Sequence, residues 1–132
     1  MNKYVIFRLF HIVALAGAFA LLGLTAGCVD PAETGGPGYT YVDGILTSTL
    51  KADLSTATNA ASVAVDRLGL TRAGESRDEL SDTLILRSAA NRQIEIKLEY
   101  AGASLTRLII QVGSFGDRPL SVAIMEKVKA GL

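Results

Sequence analysis

Four groups of residues in this chain are of types that could do chemistry. Gly113-Ser114-Phe115-Gly116 stands directly before a helical pattern. A glycine-rich loop in that place can hold a phosphate on its free N–H groups. Glu95, Lys97 and Glu99 put two carboxylates around an amine on one strand face, an arrangement that acid/base catalysis uses. Glu75, Asp78, Glu79 and Asp82, with Arg72 and Arg77 among them, offer oxygen ligands of the kind calcium takes. Cys28 and His11 are the sole residues of their types, so any thiol or imidazole chemistry rests on them.

Each group also has a plainer reading, and for most of them it is the stronger one. Asp117 puts a carboxylate at the helix start, where it competes with a bound anion, and no lysine follows at a Walker spacing. The loop then reads as a tight connection, with Phe115 as a core plug and Asp117 as the helix cap. Glu95, Lys97 and Glu99 alternate with Ile94, Ile96 and Leu98, as on a strand with one solvated face. The acidic stretch lacks the Asp-x-Asp-x-Asp-Gly order of a calcium loop and reads as a solvated turn. Past Cys28 there is no histidine and no further cysteine, so zinc sites and Cys- or His-based catalysis have no raw material. The prediction is a non-enzyme with no catalytic residue, no metal ligand and no cofactor.

Cys28 is the exception, because of what precedes it. Residues 1–27 hold 19 apolar residues and two charges, Lys3 and Arg8. The short basic start, the apolar run 9–24 and the small residues 25–27 describe a secretory signal peptide. An uncleaved membrane helix over 9–27 and an incidental buried thiol are the competing readings. Leu24-Thr25-Ala26-Gly27-Cys28 resembles the lipobox of bacterial lipoproteins, departing from it in having Thr25 where Leu, Val or Ile is usual. The resemblance implies cleavage before Cys28 and a diacylglyceryl thioether on its sulfur. Two or three acyl chains anchor stably where one does not. Val29, rather than Asp, follows the cysteine; by resemblance this implies the outer membrane more than the inner.

From Cys28 onward, 105 residues carry 11 basic and 13 acidic side chains, a net charge of −2. That balance argues against nucleic acid as a partner. Residues 29–38, VDPAETGGPG, hold two prolines and three glycines, the composition of a flexible tether. Residues 28–38 are therefore the lipidated cysteine and tether, and 39–132 a single folded domain.

Within that domain the periodicity predicts a strand over 41–52, with Leu46, Ser48 and Leu50 on one face. Asp53 can cap a helix over 54–68 whose stripe is Leu54, Ala57, Ala61, Val65 and Leu68. Strands follow at about 70–75, 83–88, 92–100 and 104–112, with Ile94, Ile96, Leu98 and Tyr100 inward on one and Leu108, Ile110 and Val112 on the next. Short links at 89–91 and 101–103 imply antiparallel hairpins. Asp117 and Pro119 open a second helix over about 118–130, with Leu120, Ile124 and Val128 buried. The fold class is α+β: an antiparallel sheet of about four to five strands against two helices, in β-α-β-β-β-β-α order, as a two-layer sandwich.

Ile94, Ile96, Leu98, Leu108, Ile110, Val112, Gly113, Phe115, Gly116, Asp117, Leu120 and Ser121 resemble the hairpin and Val-Gly-x-Phe-Gly-Asp element of a family of short, uncharacterised bacterial lipoproteins. Tyr41, Gly44, Leu46 and Leu68-Gly69-Leu70 are similar too. The resemblance implies a compact lipid-anchored envelope domain and brings no activity with it. The expected function is a structural or interaction module facing the periplasm, with the membrane and other envelope proteins as partners. A ligand-binding or accessory subunit, using a groove between helices and sheet, is the alternative. Leu105 and Ile109, outward on one strand face, are the candidate contact patch.

Overall fold

The computed structural model describes residues 38–132. Predictions that fall on 1–37, including Cys28, His11 and the tether, lie outside the described residues. The described chain folds as β1 (Tyr39–Val42), β2 (Ile45–Leu50), α1 (Leu54–Arg67), β3 (Thr71–Arg77), β4 (Ser81–Arg87), β5 (Gln93–Gly102), β6 (Leu105–Val112) and α2 (Arg118–Ala130). All six strands form one antiparallel sheet in the order β1-β2-β6-β5-β4-β3. The two helices pack on each other and on one face of it, so the α+β two-layer architecture is as predicted.

The strand count is six, not four to five, and the order is β-β-α-β-β-β-β-α. The extra strand comes from dividing the predicted strand 41–52. Asp43 and Gly44 both adopt positive φ, 50° and 80°, and turn β1 back onto β2, with Val42 opposite Ile45. Two left-handed residues match the right-handed twist of a two-residue hairpin, and Asp-Gly is a preferred pair for it.

The core is built from period-two faces. Leu46 and Leu50 of β2, Leu84 and Leu86 of β4, Ile94, Ile96 and Leu98 of β5, and Leu108, Ile110 and Val112 of β6 are all buried. Tyr100 breaks the predicted run: it is 51% exposed. The β5–β6 register shifts between Tyr100 and Gly102, and a bulge re-aims the side chain it carries. The helices answer this face with Ala57, Ala60, Ala61, Ala64 and Val65 of α1 and Ile124, Met125 and Val128 of α2. The α1 stripe is mostly alanine, which lets the helix lie close. Its Thr56, Thr58, Asn59 and Val63 are mediocre helix formers, so packing holds it more than propensity does.

Both helix starts use the predicted caps. The Asp53 carboxylate accepts from Thr56 N–H at 2.9 Å, and that of Asp117 from Leu120 N–H at 3.0 Å. At the β4–β5 turn, where no glycine is available, Asn91 takes the left-handed conformation, φ 58°, which asparagine tolerates better than most residues.

The β3 edge is protected by charge. Its register with β4 shifts between Arg72 and Gly74, and every residue of β3 is exposed. Arg72 and Glu75 stand opposite the buried Leu86 and Leu84, so charged groups lie where the core face would otherwise continue. Arg72 reaches α1, donating to the Ser62 carbonyl at 3.3 Å and lying 3.5 Å from Asp66. A bulge and inward charges are among the devices that blunt a sheet edge.

Candidate functional site

The segment Gly113–Asp117 does more than connect β6 to α2. Gly116 has φ 79° and packs directly on the β1–β2 turn. A Cβ there would collide with Gly44 Cα and Tyr41 Oη, and would come within 2.6 Å of Gly44 O. Reciprocally, a Cβ on Gly44 would lie 2.7 Å from Phe115 O. The two turns thus meet backbone to backbone, and glycine on both sides makes the approach possible. Asp117 completes the closure. Its carboxylate caps α2 and sits 2.7 Å from Nη1 of Arg92, the residue just before β5. The Leu120 N–H and the Arg92 guanidinium hold this carboxyl below the usual carboxylate range. Arg118 lies over the Tyr41 ring, 5.8 Å from its centroid, within cation–π range.

Phe115 is not the core plug the sequence suggested. It is 97% exposed, because Gly116 lies so close to Gly44 that the loop crest has no room to turn its side chain under. Val42, at the facing turn, is 56% exposed. A nearly bare phenyl ring on a loop braced from both sides is the most conspicuous apolar feature at this end of the sheet. A polar cleft of about 220 Å³ lies beside the loop, lined by Gln93, Glu95, Gln111, Gly113 and Ser114. It offers amide, hydroxyl and carboxylate groups.

Glu95, Lys97 and Glu99 lie on the half-buried outer face of β5. Lys97 Nζ is 2.8 Å from Glu99, and Arg107 of β6 is 3.4 Å from the same carboxylate. The Lys97 hydrogen bond is the main reason the Glu99 carboxyl sits below its usual range. Ion pairs at this exposure contribute about 0–1 kcal/mol; one lies along β5 and the other crosses from β6 to β5.

At the opposite end, a cleft of about 360 Å³ opens between the α1 N-terminus and the β3–β4 turn. It is lined by Leu54, Ser55, Thr58, Asn59, Arg77, Asp78, Glu79 and Asp82. Asp82 is 7% exposed and accepts a 2.6 Å hydrogen bond from Thr58 Oγ1, itself 2% exposed. Sequence reasoning placed Asp82 in a solvated turn; it is instead the second residue of β4, on the core side. Its period-two relation to Leu84 and Leu86 is the signal that would have shown this. The pair ties α1 to the sheet. Glu75, Asp78 and Glu79 are exposed. Among the described residues no group of three or more His, Cys, Asp or Glu is placed to hold a metal ion.

Leu105 and Ile109 both lie on the outer face of β6, Leu105 at 41% exposure and Ile109 half-buried. They are not brought together. Arg107 stands between them, and Ile109 is flanked by Thr47 and Lys97 on the neighbouring strands. Leu105 instead joins the β5–β6 turn, opposite Gly102. No described helix is long and apolar enough to cross a membrane.

No curated protein matches the chain. The family described as "Protein of unknown function (DUF3568)" matches residues 8–131, a span that takes in the apolar N-terminal run, Cys28 and both turns of the glycine closure. The chain therefore belongs to this family of proteins of unknown function.

Proposed function

We propose that the protein is a lipid-anchored module of the bacterial cell envelope, without enzymatic activity, that faces the periplasm and presents a braced apolar loop to other envelope proteins. One observation carries the reading: Leu24-Thr25-Ala26-Gly27-Cys28 closes a basic-then-apolar leader eleven residues before the first strand residue, Tyr39. The leader supplies export, the Cys28 sulfur supplies the attachment point, and multiple acyl chains make the attachment stable. Val29 favours the outer membrane. Phe115 and Val42 supply the contact surface, an aromatic and a β-branched side chain held on rigid turns, as suits a binding anchor.

Growing producing cells with a palmitate analogue and weighing the membrane-extracted protein tests this. The expected product lacks residues 1–27 and carries acyl mass on Cys28. A Cys28→Ser variant should lose the label and leave the membrane fraction. A Cys28→Ser chain that is still processed and still embedded would overturn the reading.

A further inference from the structure

The β-sheet register places the N-terminal end of the domain. Tyr39 stands opposite Ser48, which continues across Leu108 and Leu98 to Asp82. Gly38 therefore lies level with the next row, Thr49, Arg107, Glu99 and Ser81. One residue beyond that row, about 3.4 Å along the strands, are Leu80 and Tyr100, joined by a 2.8 Å hydrogen bond from Tyr100 N–H to the Leu80 carbonyl. Leu80 is 64% exposed and Tyr100 51%, and Leu105 stands at the same end. The last turn of α2 ends here as well, with Lys127 and Lys129, and Lys51 follows β2. The Phe115 loop is at the other end of the sheet, about 20 Å away along β5.

From these placements we infer that the Leu80–Tyr100–Leu105 end is a membrane-contact surface and rests on the bilayer that holds the protein's own anchor. The inference depends on the lipid-anchor reading above. Ten residue steps from Cys28 to Gly38 span at most roughly 36 Å, and they emerge at this end. Tethering makes the contact intramolecular, so a small surface is enough. The side chains have the right chemistry: leucines enter the acyl boundary, and a tyrosine keeps its hydroxyl among the headgroups. Lys129 lies beside Gly38, its Nζ 3.3 Å from where a Cβ there would stand, while Asp78 and Glu79 beside Leu80 keep this end from being a polybasic patch. The occupant is thus a zwitterionic phospholipid surface, met mainly through apolar contact. The same orientation turns the Phe115 loop away from the bilayer, toward the space where a protein partner can reach it.

The chain has no tryptophan, so single replacements report cleanly. Mature Tyr100→Trp and Phe115→Trp proteins, purified from membranes, are reconstituted in phosphatidylcholine vesicles containing brominated phosphatidylcholine. The Tyr100→Trp emission should be quenched and the Phe115→Trp emission should not. Adding Leu80→Asp to Tyr100→Trp should abolish the quenching while the protein still floats with the vesicles. Should Tyr100→Trp fail to fold, Leu80→Trp takes its place. Acylated, vesicle-bound protein with no quenching at position 100, or with equal or stronger quenching at 115, overturns the inference and leaves the anchor standing. Protein that carries no acyl mass and does not float overturns both.

Discussion

Replacing Gly116 by alanine tests the backbone closure between the two turns. The residue has φ 79°, and holding a non-glycine residue in the left-handed region costs roughly 1–2 kcal/mol. The added methyl also has nowhere to go. It meets Gly44 Cα, Gly44 O and the Tyr41 hydroxyl, two of which are backbone, and relieving such an overlap costs typically about 1–3 kcal/mol. The sum is roughly 2–5 kcal/mol. At roughly 4–8 °C per kcal/mol for a domain of this size, the melting temperature should fall by about 8 °C or more. Gly113→Ala is the control: its φ is 63°, but nothing lies within 4 Å of the new Cβ. It should cost only the conformational part, about 1–2 kcal/mol. The assay is thermal and urea unfolding of both variants followed by circular dichroism. Adding Tyr41→Phe should recover only part of the Gly116→Ala loss, because Gly44 remains in place. If Gly116→Ala unfolds no earlier than Gly113→Ala, the close approach of the two turns is wrong.

Four further outcomes follow from the same structure. Phe115→Ser should leave stability within about 0.5 kcal/mol in urea titration, as for other exposed surface changes; a large loss would mean the ring is packed. Thr58→Val removes the hydroxyl that bonds the buried Asp82 and should cost about 1.5–3 kcal/mol by denaturant midpoint, whereas the double variant with Asp82→Leu should recover part of it. Ile96→Ala, at the centre of the sheet, should cost about 2–5 kcal/mol. The carboxyls of Asp53, Glu99 and Asp117 all titrate below their usual range in the folded state, so their contribution is present at neutral pH and is lost as pH falls through those lowered values. Melting temperature should hold level down to about pH 5 and then drop; Asp117→Asn should be less stable at neutral pH and show a shallower acid decline.

Much of the fold could be read from local pattern because local physics set it. Asp53 and Asp117 are capping residues placed just before stripes of period 3.6, and they cap as their type demands. The Ile94–Leu98 alternation gave the sheet its buried face, which only one register satisfies. What stayed hidden depends on contacts between distant segments. The Asp43-Gly44 turn was legible as a dipeptide and lost inside a long β-rich run. Phe115 had the composition of a core residue, and nothing near it in the chain reveals that Gly44, some 70 positions earlier, occupies the space beneath its loop. Asp82 was grouped with its acidic neighbours, although strand parity assigns it to the inner face. Leu105 and Ile109 share a side of β6 with Arg107 between them by strand parity, whereas the flanking of Ile109 by Thr47 and Lys97 depends on the pairing with β2 and β5.

The outermost ribbon of the sheet, Thr71–Arg77, has a consequence for how many copies can crowd together. A second molecule adding its own strand there would gain ladder bonds only by stripping water from Arg72, Glu75 and Arg77, whose partners lie within their own chain. Dehydrating ionic groups costs more than a few neutral amide bonds return. Stacking into fibrils along this rim is therefore penalised at every step, and strand addition is disfavoured at the β3 side of the sheet.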